Sequence, residues 1–113
     1  MVRIPAPTSI TIGGKTFEIK DNPHLTLTEQ AFGICLQNEC VIELDSGLKP
    51  QLKSVMLFHE IIEAINRTWC AGKIDHDDIE RLGEALFQVF NGFDIEIDWT
   101  TPQTSSSEPE APS

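Results

Sequence analysis

The fold is decided by residues 52–69, LKSVMLFHEIIEAINRTW. Read as a helix, this stretch carries apolar side chains on nearly every side, and such a helix is normally buried. His59, Glu60 and Glu63 lie in the middle of it. A buried imidazole beside buried carboxylates costs several kcal/mol unless something compensates these groups. A divalent metal ion would do so, and the stretch therefore predicts a metal-binding helix.

The spacing of these polar residues supports that prediction. His59 and Glu63 are four positions apart, so their side chains project from one helical face with roughly 5–6 Å between the Cβ atoms. Glu60 follows the histidine directly, as in the active-site helix of zincins, where this glutamate is the general base. The usual zincin pattern is His-Glu-x-x-His, and here Glu63 stands at the position of the second histidine.

A catalytic zinc needs three protein ligands and one open position. Asp75 has the character of a helix N-cap, which places His76 at the first position of a second helix. A short glycine-containing turn makes the two helices antiparallel neighbours, so we expect His76 beside the last turns of the long helix. The predicted ligand set is His59, Glu63 and His76. The alternative is a core His59 that is hydrogen-bonded to Glu63 with no metal.

The rest of the pattern predicts an α+β domain with a small antiparallel β-sheet packed on a two-helix hairpin. Residues 10–19 alternate around a Gly-Gly pair and indicate one β-hairpin, and residues 33–44 indicate a second. A second helix is expected from Asp75 to about Phe90, followed by a closing strand over residues 93–99.

Several finer expectations concern single segments and residues. Residues 1–8 are expected to be extended, and residues 25–32 are expected to form either a loop or a short strand. The predicted inner face of the second helix carries Ile79, Leu82, Ala85, Leu86 and Val89. Phe58 and Trp69 are expected in the core, and His24 is expected to be exposed in a loop.

The composition indicates the domain organisation and argues against some classes of partner. Residues 1–100 are expected to form a single zincin-like domain, and residues 101–113 a disordered, acidic tail rich in Ser and Pro. The net charge is −10, which argues against nucleic acid and anionic membranes as partners. The first residues lack the apolar block of a signal peptide, so a cytoplasmic protein is expected. The oligomeric state is not indicated.

The three cysteines, Cys35, Cys40 and Cys70, are an odd number in a chain that is expected to lack a leader. This favours free thiols. The alternative is a structural zinc site formed by these cysteines with a histidine, since the gap between Cys35 and Cys40 suits such sites.

The chain resembles a group of small phage and prophage proteins with a zincin-like helix. The resemblance rests on residues 57–66, LFHEIIEAIN, and residues 75–90, DHDDIERLGEALFQVF, and covers about residues 10–92. In that group the position of Glu63 is either His or Glu. The resemblance implies His59, Glu63 and His76 as zinc ligands, Glu60 as the catalytic carboxylate, and the host cytoplasm as the location of a phage-encoded chain.

These observations predict a zinc-dependent hydrolase that acts on an extended peptide or protein. The predicted strand over residues 40–44 would pair with that peptide if it lies at a sheet edge. With no tyrosine in the chain, Arg67 and Arg81 are the candidates to stabilise the oxyanion. The rival prediction is a non-catalytic interaction protein in which the metal is structural.

Overall fold

The computed structural model describes residues 1–100; the predicted disordered tail, residues 101–113, lies outside the described residues. The chain has an α+β fold, as predicted. Its elements are, in order, β1 (Val2–Pro5), β2 (Ser9–Ile12), β3 (Lys15–Asn22), α1 (Leu25–Glu29), β4 (Gly33–Leu36), β5 (Val41–Asp45), α2 (Pro50–Trp69), α3 (His76–Gly92) and β6 (Ile95–Asp98). None of the helices in residues 1–100 is long and apolar enough to cross a membrane.

The main sheet has four strands in the order β2-β3-β5-β4. Both predicted hairpins are confirmed, β2 with β3 and β4 with β5. The prediction of an antiparallel sheet is wrong, because β5 pairs in parallel with β3. The connection from β3 to β5 contains α1 and β4, and it is long enough for the crossover that parallel neighbours need. The sheet is therefore mixed.

The sheet order also corrects the expectation for residues 40–44. Strand β5 lies between β3 and β4, so it has no open edge. Strand β4 is the edge strand on that side of the sheet. Local hairpin signals do not tell which of the two strands of a hairpin joins the rest of the sheet.

The first and last strands form a separate two-stranded parallel sheet. Residues from Val2 to Pro5 pair in register with residues from Ile95 to Asp98. The predicted closing strand over residues 93–99 is confirmed for residues 95–98. It pairs with β1 rather than with the main sheet. Trp99 follows it, and its indole Nε1 donates a hydrogen bond of 2.8 Å to the Ser54 hydroxyl in α2. This bond ties the end of β6 to the long helix.

Helix α2 packs against the four-stranded sheet and also against the antiparallel helix α3. Its buried residues include Leu57, Phe58 and Ala64, and the predicted core position of Phe58 is confirmed. The remaining core side chains come mainly from the sheet: Ile12, Phe17, Ile19, Cys35, Ile42 and Leu44. The long helix is thus the central element, although Leu52 at its start is exposed.

Three expectations about helices are wrong in whole or in part. Trp69 is not in the core but 70% exposed at the end of α2. On α3, the inner positions of Ile79 and Leu86 are confirmed, because Ile79 is buried and Leu86 packs against the core. Leu82, Ala85 and Val89 are exposed, and Gly83 is buried instead. The contact face of α3 is therefore rotated from the predicted one, because apolar residues cover a wider arc of this helix than the body of the protein buries.

The third concerns residues 25–32, which were expected as loop or strand and contain the short helix α1. Leu25 is fully buried. The backbone N–H of Thr26 donates a 3.0 Å hydrogen bond to the Asp45 carboxylate, and the Thr26 hydroxyl donates to the same oxygen. Tertiary contacts made by two residues hold this turn in place, and the local sequence gives no sign of them.

Candidate metal centre

A close approach of the two long helices positions His59. A β-carbon added to Gly83 of α3 would lie 3.2 Å from the backbone nitrogen of His59 and 3.3 Å from its Cα. Only glycine leaves the α3 backbone this near to α2 without displacing it. The close crossing brings the rings of His59 and His76 together, with centroids 5.2 Å apart and planes inclined at 69°.

The turn between the helices positions His76. The buried Asn66 side chain accepts a 2.9 Å hydrogen bond from the Ile74 backbone N–H and donates one of 3.3 Å to the Ile74 carbonyl. The Asn66 backbone carbonyl accepts from the N–H groups of Cys70 and Gly72. Helix α3 then begins at His76, with Asp75 at the N-cap as predicted. The Asn66 clamp fixes where the second helix starts.

The structure brings all three predicted ligands together. His59, Glu63 and His76 each offer an atom suited to metal binding, and these three atoms lie within 4.8 Å of one another. His59 is buried, Glu63 is half-buried and His76 is exposed. The cluster therefore runs from the interior to the surface, which leaves a solvent-facing side for a further ligand. His24, by contrast, is exposed at the start of α1, as predicted.

The state of His59 fits a metal ligand. Its Nδ1 atom is buried and has no hydrogen-bond partner. Burial lowers the pKa of His59, the neighbouring His76 lowers it further, and the carboxylate of Glu63 opposes both. The imidazole is thus favoured in the neutral form, the form that binds metals. An orphaned polar atom in a protein interior has a cost, and a metal bound through Nδ1 would offset it. The alternative of a His59–Glu63 hydrogen bond is not seen among the described contacts.

Glu60 lies beside this cluster but points toward the sheet. Its side chain is 7% exposed, and its Oε2 is 3.9 Å from His59 Nε2. A β-carbon on Gly33 of strand β4 would come within 3.1 Å of the same oxygen. Burial and the nearby Glu63 raise the pKa of Glu60 to about 7, while Arg67 acts in the opposite direction. Glu60 thus lies in the gap between α2 and the edge strand.

Arg67 is the cation that lies at the cluster. Its Nη2 is 3.7 Å from Glu63 Oε2, one helical turn away. Its Nη1 donates a 3.2 Å hydrogen bond to the backbone carbonyl of Cys35 in β4. Arg81, the other candidate for an oxyanion contact, instead pairs with Asp78 at 2.8 Å on the exposed surface of α3.

The cysteines are free thiols, as predicted. Cys35 is buried, and this burial raises the pKa of its thiol to about 11. Within residues 1–100, no cysteine belongs to a cluster with metal-binding geometry. The alternative of a cysteine zinc site thus has no support in the described part of the chain.

Two residues that shape the centre were missed from the sequence. Gly83 carries a weak signal, since a glycine inside an otherwise regular helix often marks close packing. Asn66 carries none, because a polar residue near a helix end is common without any such role.

No protein-family model, curated protein or solved structure matches this chain. The resemblance to zincin-like phage proteins therefore remains a prediction.

Proposed function

We propose that the chain is a zinc-dependent, peptidase-like hydrolase of the zincin-like kind found in small phage and prophage proteins. In this proposal His59, Glu63 and His76 hold the metal, and Glu60 is the general base. The observation that carries it is the gathering of two imidazoles and one carboxylate within 4.8 Å. This composition, with a side open to solvent, is that of catalytic rather than closed structural zinc sites.

If bound by His59, Glu63 and His76, zinc would supply Lewis acidity and would make a nearby water more acidic. We assign Glu60 to such a water because it follows His59 in the chain, projects about 100° around the helix from it, and has its Oε2 3.9 Å from His59 Nε2. Its carboxylate accepts the proton as the water oxygen attacks the peptide carbonyl. The same group then delivers the proton to the leaving amine as the C–N bond breaks.

The open edge of β4 is the proposed binding site for an extended peptide substrate. Hydrogen-bonded and non-hydrogen-bonded pairs alternate in an antiparallel ladder. The backbone N–H of Asp45 donates a hydrogen bond to the carbonyl of Phe32, the residue directly before β4, so these two residues form a hydrogen-bonded pair. The backbone groups of Gly33 and Cys35 therefore point away from β5, toward the open edge. The Cys35 carbonyl already accepts from Arg67, so a peptide would pair mainly beside Gly33. Gly33 is also the residue beside Glu60, so a peptide paired with this edge passes the proposed base.

Arg67 is the group we assign to the oxyanion. It lies at the cluster, with its Nη2 3.7 Å from Glu63 Oε2, whereas Arg81 is on the exposed surface of α3, where it pairs with Asp78. Preorganised cations at developing negative charge contribute strongly to catalysis in sites that exclude water.

The test combines metal content with activity. Wild-type chain is loaded with zinc, and cleavage is followed on a library of unstructured peptides. Glu60→Gln keeps the shape of the side chain but removes its basicity. We expect this variant to retain zinc and to lose activity by roughly 10²–10⁴-fold, the usual value of a positioned general base. His24→Ala, at an exposed histidine away from the centre, is the control and should keep both zinc and activity.

A second candidate function has its own supporting observation. His59 and Glu63 belong to α2, whereas His76 belongs to α3. A metal at these atoms therefore also links the two helices, as a structural zinc does in a small domain. If the zinc-loaded wild type cleaves no peptide and Glu60→Gln differs from it in neither metal content nor stability, the structural role is the correct one.

A further inference from the structure

A cavity of about 400 Å³ opens where the first turn of α2 meets the last turns of α3 and strand β6. Its inner wall is apolar, and its volume is in the range of sites that hold small molecules. The wall is formed mainly by Phe58, Phe87, Phe90, Ile95 and Ile97. The rings of Phe58 and Phe90 meet edge to face, with centroids 5.0 Å apart.

This cavity is separate from the candidate metal centre. It shares no residue with the His59, Glu63 and His76 cluster. His76 is the first residue of α3, whereas Phe90 and the other cavity residues of this helix come from its last turns. The proposed hydrolase function therefore does not account for the cavity.

The mouth of the cavity is polar and carries hydrogen-bond donors. Lys49, Gln51 and Asn91 line it. Within residues 1–100 their side chains make no hydrogen bond or ion pair. The acidic residue at the mouth, Glu96, is already paired with Arg3, whose Nε is 3.3 Å from Glu96 Oε1. An unpaired cation and two free amides thus border an apolar interior.

The start of α2 adds to this polarity. The helix begins with Pro50, and its N-cap residue Lys49 makes no side-chain cap. The positive end of the helix dipole is therefore not offset by a capping oxygen. In a chain with a net charge of −10, this mouth is a local exception that favours a negative group.

We propose that this cavity binds a small monocarboxylate with an apolar body, of the class of medium-chain or aryl carboxylic acids. The apolar body packs against Phe58 and Phe90. The carboxylate stays at the mouth, where the Lys49 ammonium and the amides of Gln51 and Asn91 donate to it. Such a division between apolar walls and a few polar groups that orient the ligand is typical of small-molecule sites.

Trp99 provides the reporter for a test. Its Nε1 bonds the Ser54 hydroxyl, and Ser54 lines the cavity. The other tryptophan, Trp69, is exposed at the opposite end of α2. In the full chain carrying Trp69→Phe, Trp99 fluorescence is titrated with decanoate and with decanol, both below the concentrations at which they aggregate. We expect saturable binding with one site per chain, and tighter binding of decanoate than of decanol.

Two kinds of variant distinguish the parts of the proposal. Lys49→Met should weaken decanoate binding roughly two- to five-fold, the range for an exposed charge pair, and should leave decanol binding unchanged. Lys73→Met, at an exposed lysine beyond the other end of α2, is the matched control and should change neither. Ile95→Phe narrows the cavity and should weaken both probes. Asn91→Phe, at an exposed position of the mouth, repeats this test in case Ile95→Phe does not fold.

The absence of saturable binding of either probe to the folded chain would overturn the proposal. Equal weakening by Lys49→Met and Lys73→Met, or decanol binding as tight as that of decanoate, would overturn the assignment of the carboxylate. Decanoate binding that is unaffected in both cavity-narrowing variants would place the ligand elsewhere on the protein.

Discussion

Gly83 of α3 lies directly against the backbone of His59 in α2, where a β-carbon would be 3.2 Å from the His59 nitrogen. This contact sets how closely the two helices pack beside the candidate metal centre. It also sets the separation of His59 from His76, because each helix carries one of the two imidazoles. A glycine outside the candidate ligand set thereby affects the geometry of the cluster.

Gly83→Val is expected to push α3 away from α2. Overpacking a tight contact typically costs about 1–3 kcal/mol of unfolding free energy. Because His76 would move away from His59 and Glu63, the variant should also bind zinc more weakly than wild type. Urea unfolding and zinc titration measure the two effects. Gly92→Ala is the control, because a β-carbon at this helical glycine meets nothing within 4 Å. Similar losses in both variants would show that the close approach at Gly83 has no special role.

Replacement of Glu63 tests whether its carboxylate is a ligand. Glu63→His should retain zinc, because imidazole is a good zinc donor at this helical spacing and restores the His-Glu-x-x-His pattern. Glu63→Leu has similar bulk but no donor atom, and it should lose most of the metal. Elemental analysis of the purified variants decides the matter. Equal zinc content in the two variants would remove Glu63 from the ligand set.

The fold and the centre were predictable from sequence to different degrees. The spacing of His59 and Glu63 is fixed by helix geometry alone, and Asp75 marks the start of α3 through its capping chemistry. Both are local signals, and the structure confirms the helix positions that they predict. The parallel pairing of β5 with β3 joins segments that are distant in the chain, and no local pattern encodes it.

The same distinction applies to the helix surfaces. Trp69 is apolar and ends an apolar helix, yet it is 70% exposed, although the Gly13 turn of the first hairpin lies close to it. Leu82 and Val89 fit a regular helical stripe, but the body of the protein covers the neighbouring stripe of α3. Periodicity shows that a helix is amphipathic, whereas the position of its partner decides which apolar residues are buried.

Asp45 should make stability depend on acidic pH. The Thr26 hydroxyl, and then the backbone N–H of Gly47, hydrogen-bond its carboxylate and lower its pKa from the usual value. A lowered folded-state pKa means that this contribution to stability is complete above the unfolded-state pKa of about 4. It is lost as the pH falls through the folded-state value.

The measurement is urea unfolding of wild type and Asp45→Asn between pH 2 and 7. This range extends from well below to well above the ordinary pKa of an aspartate, about 4. The variant should be less stable near neutral pH, and the difference should shrink as the pH falls. Glu84→Gln, at an exposed acidic residue of α3, should show no such convergence. A difference that is constant with pH would mean that the charge of Asp45 is not what stabilises the turn.

Lys53→Met should destabilise the joint between α2, the main sheet and the end of β6. The Lys53 ammonium is buried, with its Nζ 2.8 Å from Asp21 Oδ1 and 4.9 Å from the centroid of a Trp99 ring. Removing the ammonium takes an ionic partner from the Asp21 carboxylate, and breaking a buried pair costs about 3 kcal/mol. Unfolding should be followed by circular dichroism and by Trp99 fluorescence. Lys15→Met, at an exposed lysine of the first hairpin, should be nearly neutral, and an equal effect there would contradict this account.

The most direct test of the central claim is a zinc titration of the folded chain, comparing wild type with His76→Ala and His24→Ala. His76 is exposed, so its loss should remove a ligand without disturbing the core. We expect one zinc per chain in wild type and in His24→Ala. In His76→Ala the zinc affinity should be weaker on the order of 100-fold or more, since each ligand supplies a large share of the binding energy at such sites. Equal zinc affinity in wild type and His76→Ala, or no stoichiometric zinc in wild type, would contradict it.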